Sequence, residues 1–102
     1  MEYVHQGEII KLESSSITAL VMSREFFNQS GFAIVCPIVK TASGDALHIP
    51  VKTKDFSGIA LLEHMKSLDL QARHYKSIGV IDIPQIQNIS DAAQDILNYY
   101  PF

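Results

Sequence analysis

The run Phe32–Val39, FAIVCPIV, is the most apolar segment of the chain and is dense in β-branched residues, which suit the packed, pleated surface of a sheet. A strand at the centre of a sheet is expected there. Pro37 complicates that assignment, because proline brings no N–H to a hydrogen-bonded ladder, and a bulge or an edge is predicted at that point.

Residues 7–13, GEIIKLE, read as a first strand with Ile10 and Leu12 on one face. Residues 17–23, ITALVMS, are apolar almost throughout, as in a strand covered on both faces. The serines Ser14, Ser15 and Ser16 join the two as a short hairpin connection. In REFFNQSG, residues 24–31, the strand pattern breaks: Ser23 is placed to cap one helical turn, Phe26 and Phe27 to close an end of the core, and Asn28 to Gly31 to turn the chain. ALHIPV, residues 46–51, alternates Leu47, Ile49 and Val51 against His48 and Pro50, which puts His48 on a polar face. GIALLE (58–63) is another strand-length run, and MKSLD (65–69) continues it, with a break allowed between the two, Met65 and Leu68 inward. Residues 70–76 are expected to form a short helix with Asp69 as its cap. The clearest signal comes last: Asp82 caps, Pro84 sits in the first turn, and Ile86, Ile89, Ala93, Ile96, Leu97 and Tyr100 recur at helical spacing, predicting a helix over about residues 83–99.

With 102 residues and 47% hydrophobic content, the chain has material for one core and one domain spanning 1–102. Five or six short strands and a closing helix give a mainly β fold, an antiparallel sheet curled into a partly open barrel with short helices and a C-terminal α-helix. The net charge is -3 and only Arg24 and Arg73 among the eight basic residues are arginine, so any phosphate binding must come from a small local patch. The single cysteine, Cys36, lies in the most apolar run, which reads as a core residue in a reducing compartment. The start, MEYVHQGEII, has no secretory character, and no apolar stretch reaches the roughly 20 residues that span a bilayer. A soluble, cytoplasmic protein that does not contact the membrane is expected.

His5, His48, His64 and His74 are too scattered for a metal site, the five glycines form no phosphate loop, and no nucleophile elbow is present, so neither a metal nor another cofactor is expected. A polar group remains. Lys40, Thr41, Ser43 and Asp45 leave the end of the central strand, His48 projects from its neighbour, His64 and Lys66 follow the GIALLE strand, and Ser14 to Ser16 top the first hairpin. Convergence of these ends would make a pocket of hydroxyls, imidazoles and ammonium groups that suits a phosphodiester; the plain alternative is a set of solvated strand ends.

Two blocks resemble the MazF/PemK toxins of bacterial toxin–antitoxin pairs. The family pattern PALVLS…N…G…VxxPIT is matched by TALVMSREFFNQSGFAIVCPIV, and G…LxxQ(V/I)(R/K)S(I/L)D…R by the stretch from Gly58 to Arg73; with Gly7 and Gly79 the likeness spans nearly the whole chain. The resemblance implies an SH3-like barrel, a homodimer that binds single-stranded RNA and a cognate antitoxin peptide, and cleavage by attack of the ribose 2′-hydroxyl to leave a 2′,3′-cyclic phosphate. Such chemistry needs a base, a proton donor for the leaving oxygen, and a strong donor against the phosphorane's charge. In the family an arginine in a long loop before the PALVLS strand meets the last need, helped by the hydroxyl of PIT. This chain departs from both: Ile17-Thr18 stands where Arg-Pro is expected, Val39 stands for the threonine, and the loop has shrunk to Ser14 to Ser16. The substitutes expected from the residues at hand are Thr41, His48 and Ser16 for catalysis, with Lys40, His64, Lys66 and Thr18 contacting RNA. The competing expectation is a non-catalytic, toxin-like module that binds an antitoxin, nucleic acid or another protein; the related CcdB scaffold poisons gyrase by protein contact, and the tail YYPF would offer an aromatic docking end.

Overall fold

A computed structural model describes residues 2–98. The first hairpin pairs β1 (Glu8–Leu12) with β2 (Ile17–Val21) in register Ile10↔Ala19 and Leu12↔Ile17, across a turn at residues 13–16. Ser16 closes that turn with a left-handed φ of 59°, its N–H donating to the Leu12 carbonyl at 2.9 Å. After α1 (Glu25–Asn28) come β3 (Phe32–Val39), β4 (His48–Lys52), β5 (Ser57–Leu61), a single 3-10 turn (Leu62–His64), β6 (Lys66–Asp69), β7 (Tyr75–Val80) and α2 (Ile83–Leu97). The strands form one antiparallel sheet in the order β4-β5-β3-β2-β1-β7, with β6 also paired to β3.

β3 organises the sheet. One side runs along β2; the other pairs first with β6, from Phe32↔Asp69 to Val35↔Lys66, and then with β5 from Ile38↔Ala60. Pro37 sits in the interval between these partners. Ile34 bonds toward β2, so strand alternation turns the nitrogen of Pro37 to the opposite side, where no ladder bond is due. A change of partner thus takes the place of the expected bulge or edge.

Both faces of the sheet are covered. Ile10, Leu12, Ala19, Val21 and Val35 gather with Val4, Leu68 and Leu70, while Ile9, Leu20, Cys36 and Ile38 pack with Val51, Leu62, Ile81 and Ile89 under α2. This is why ITALVMS reads as continuously apolar. The Asp82 carboxylate caps α2 by accepting the Gln85 N–H at 3.2 Å, and the Gln85 side chain then reaches the edge of β4, accepting from the Lys52 N–H at 2.8 Å and donating to its carbonyl at 2.9 Å.

Three local expectations change. Residues 70–76 form no helix: the Asp69 carboxylate accepts the Gln71 N–H at 3.0 Å in an Asx turn, and the chain goes straight into β7, paired to β1. Ser23 does not cap α1, whose N-cap is Arg24; its hydroxyl donates to buried Asn28 and accepts the Ile34 N–H at 2.9 Å. Phe26, expected in the core, is 73% exposed with the Arg24 guanidinium 5.5 Å from its ring centroid. The end of the predicted C-terminal helix at Tyr99, and the tail YYPF, lie outside the described residues.

Candidate functional site

Ile17, Ala19, Val35 and Pro37 share one face of the sheet by register, and there a groove of about 390 Å³ opens. Leu12 and Leu68 complete its apolar floor, and Ser15, His64, Lys66 and Arg73 line it with polar groups. Each comes from a different local device. Ser15 stands on the hairpin turn, His64 ends the 3-10 turn, Lys66 opens β6 opposite Val35, and Arg73 rides the turn that replaces the expected helix. No carboxylate lines this groove among the described residues, and neither Lys66 nor Arg73 is held in an ion pair among them. A chain of net charge -3 therefore carries a locally positive recess, where apolar walls strengthen the field of its cations.

The convergence expected from the sequence is corrected in part. His64 and Lys66 come together; Ser15 rather than Ser16 lines the groove, and Thr41 lies past the end of β3 on the exposed connection to β4. Thr18 pairs with Ile38, on the opposite face from the Ala19–Pro37 floor. Lys40 lines a separate, larger groove of about 600 Å³ with Lys52, Asp82 and Gln85, where the Asp82 carboxylate offsets one of the two lysine charges. His48 is fastened at both ring nitrogens: Nδ1 lies 2.7 Å from the Ser43 carbonyl and Nε2 2.7 Å from Glu63 Oε2. These two acceptors, with Asp45 nearby, raise its pKa, while the bond from His48 first of all lowers that of Glu63. Cys36 is buried behind the sheet, its thiol pushed up to about 12 by burial and then by the charge of Glu63, which leaves it a neutral core group. Among the described residues no cluster of three or more His, Cys, Asp or Glu is placed to hold a metal.

The helix expected over residues 70–76 left Arg73 to pair with the Asp69 carboxylate or to face solvent; in the turn found there instead, Arg73 reaches the groove. Its rarity was the available signal: it is one of two arginines and ends the second family block.

A family model described as PemK-like, MazF-like toxin of type II toxin-antitoxin system matches residues 8–97, from β1 to the end of α2. The chain belongs to this family. Among curated proteins it is similar to the endoribonuclease toxin ChpB of Escherichia coli K12, 33% identical over 67 residues that make up 61% of this chain and 58% of that one. This PemK/MazF-like chain therefore spans under two thirds of that relative's length. Its fold matches a chain of the MazE-MazF crystal structure from Deinococcus radiodurans with a TM-score of 0.84, at 21% identity, over 95% of this chain and 98% of that one. A mycobacterial endoribonuclease solved with its cognate antitoxin matches with a TM-score of 0.81 at 13% identity, over 96% and 99%. At such identities these two likenesses establish the SH3-like toxin architecture. The loop that the family resemblance makes long is here the turn at residues 13–16, which carries no arginine.

Proposed function

We propose that this toxin binds single-stranded RNA in the His64–Lys66–Arg73 groove and cleaves it by attack of a ribose 2′-hydroxyl. The observation that carries the reading is the groove's composition: an imidazole, an ammonium, a guanidinium and a hydroxyl over an apolar floor, with no carboxylate among the described residues that line it. Similarity to a curated endoribonuclease toxin supports the reaction class. Imidazole exchanges protons near neutral pH, and His64 takes the 2′-hydroxyl proton. As the 2′-oxygen bonds to phosphorus, the bond to the 5′-oxygen breaks, and that oxygen leaves with a proton from water. The products are a 2′,3′-cyclic phosphate and a 5′-hydroxyl. The planar fork of Arg73 binds two non-bridging oxygens, Lys66 adds a point charge, and the Ser15 hydroxyl donates a further hydrogen bond. In this reading Arg73 does from the β6–β7 side what the family's loop arginine does from the β1–β2 side. Lys40 and Lys52 would bind the backbone of a longer strand at the second groove.

The toxin acts, in the same proposal, as a cytoplasmic homodimer held in check by a cognate antitoxin peptide. The complexes of its structural relatives support the antitoxin, and an apolar recess formed by Met22, Ile34, Met65, Ala93 and Leu97 supports contact with a second copy. No helix among the described residues is long and apolar enough to cross a membrane.

The test is to incubate the purified protein with a long mixed-sequence RNA and map new ends. New 5′-hydroxyl ends paired with cyclic phosphates are expected. RNA bound at micromolar protein but left intact would overturn cleavage and leave the non-catalytic binding module, the reading favoured by the arginine-free turn.

A further inference from the structure

His48, Glu63 and His64 form a continuous line from the edge of the sheet to the groove. His48 opens β4 opposite Leu61, and Glu63 and His64 end the 3-10 turn that follows β5. The protons on His48 follow from its partners. A carbonyl oxygen only accepts, so Nδ1 carries a hydrogen toward Ser43; an ionised carboxylate only accepts, so Nε2 carries one toward Glu63. Two acceptors favour the imidazolium form of the ring, whose side chain is only 12% exposed against 63% for His64. With both hydrogens committed, it has no free position from which to serve a substrate.

Glu63 is the link. The oxygen that holds His48, Oε2, also lies 4.0 Å from His64 Nε2. The charged groups around this line are Asp45 from the connection before β4, which bears on His48, and the two imidazoles that bear on Glu63. Cys36 of β3, beneath Glu63, stays a neutral thiol. Glu63 thus keeps its negative charge at neutral pH and keeps it in one place.

We propose that Glu63 is a positioning residue for His64, held in register by the fixed cation of His48, so that it orients the groove imidazole and stabilises the imidazolium that forms there. The inference rests on the reading of the groove as a ribonuclease site. When His64 takes the 2′-hydroxyl proton, its new positive charge draws Nε2–H onto Glu63 Oε2. The orienting carboxylate of a serine hydrolase triad acts on its histidine by the same physical logic. His48 prevents Glu63 from turning away to solvent, which supplies a reason for an imidazolium fastened at both ends beside the site.

The experiment uses the full-length protein, single-turnover cleavage of a mixed-sequence single-stranded RNA, and ¹⁵N NMR of the histidine rings. His48 should show both nitrogens protonated at neutral pH in the wild type, and its titration midpoint should fall in Glu63→Gln. Glu63→Gln should lower the cleavage rate by at least about 10-fold with KM changed by less than about 2-fold, Glu63→Asp should recover part of the loss, and His48→Gln should lower the rate less than Glu63→Gln does. Unaltered cleavage by a folded Glu63→Gln protein would overturn this inference and leave the ribonuclease reading standing. So would a loss expressed wholly in KM. Absence of cleavage by the wild type would overturn the ribonuclease reading and this inference with it.

Discussion

Asn28 is 2% exposed, and every polar atom of its side chain is used: Nδ2 donates to the carbonyls of Val4 and Ser23, both at 2.9 Å, and Oδ1 accepts from the Ser23 hydroxyl. One amide therefore ties the N-terminal segment, the end of β2 and α1 together. Asn28→Ala strips partners from groups that stay buried, and a loss of about 2–4 kcal/mol is expected in chemical denaturation. His48 and Glu63 make a second, pH-dependent tie. The raised pKa of His48 gives a contribution that is complete below its unfolded value of about 6.5 and is lost as pH rises through the higher folded value. The lowered pKa of Glu63 gives one that is complete above about 4.3 and is lost as pH falls through the lower folded value. Thermal melts of wild type and His48→Gln should thus differ most between about pH 4.3 and 6.5 and converge at alkaline pH. The sequence pattern could place His48 on a polar face but could not show that both its nitrogens are spent, because Ser43 meets it through the folded connection before β4 and Glu63 only through the β4–β5 pairing. Likewise Ser15 and Ser16 are indistinguishable by type; only the folded turn separates them, with Ser15 on the groove and Ser16 at a left-handed φ.

At the scale of elements, hydrophobic period was legible wherever burial was two-sided or cleanly alternating: β1, β2, β3 and α2 fall where their apolar residues recur. β7 was hidden because it is an exposed edge. Lys76, Ser77 and Ile78 carry no strong alternation, and LQARHY before them consists of residues that tolerate a helix. Pairing with β1, a contact remote in sequence, overrides that local preference. Pro37 was misread for a related reason, since the division of one flank of β3 between β6 and β5 is visible only once the sheet is assembled. At the opposite edge, Gln85 occupies the open hydrogen-bonding positions of Lys52 as a neighbouring strand would. Gln85→Ala should cost about 1–2 kcal/mol. Faster hydrogen exchange at the Lys52 amide, with little change at β2, would locate that loss at the edge; unchanged exchange at Lys52 would show that the contact does not protect it.

Over the whole molecule, a net charge of -3 coexists with a groove lined by His64, Lys66 and Arg73 and by no carboxylate among the described residues. Average charge therefore understates what the folded surface presents. The turn at residues 70–74 matters most here: it follows β6, runs beside the shortened first hairpin, where the Glu13 N–H donates to the His74 carbonyl at 3.1 Å, and brings a guanidinium to the groove by another route. Binding to single-stranded RNA should weaken with salt, and Arg73→Ala should reduce the slope of log affinity against log salt by about 0.7, the share of one phosphate contact. The most direct test is the single-turnover rate of RNA cleavage by Arg73→Ala and Arg73→Lys beside the wild type. Stabilisation of phosphorane charge by Arg73 predicts a fall of about 10²–10³-fold for Arg73→Ala, with partial recovery in Arg73→Lys. Cleavage by a folded Arg73→Ala protein at the wild-type rate would contradict it.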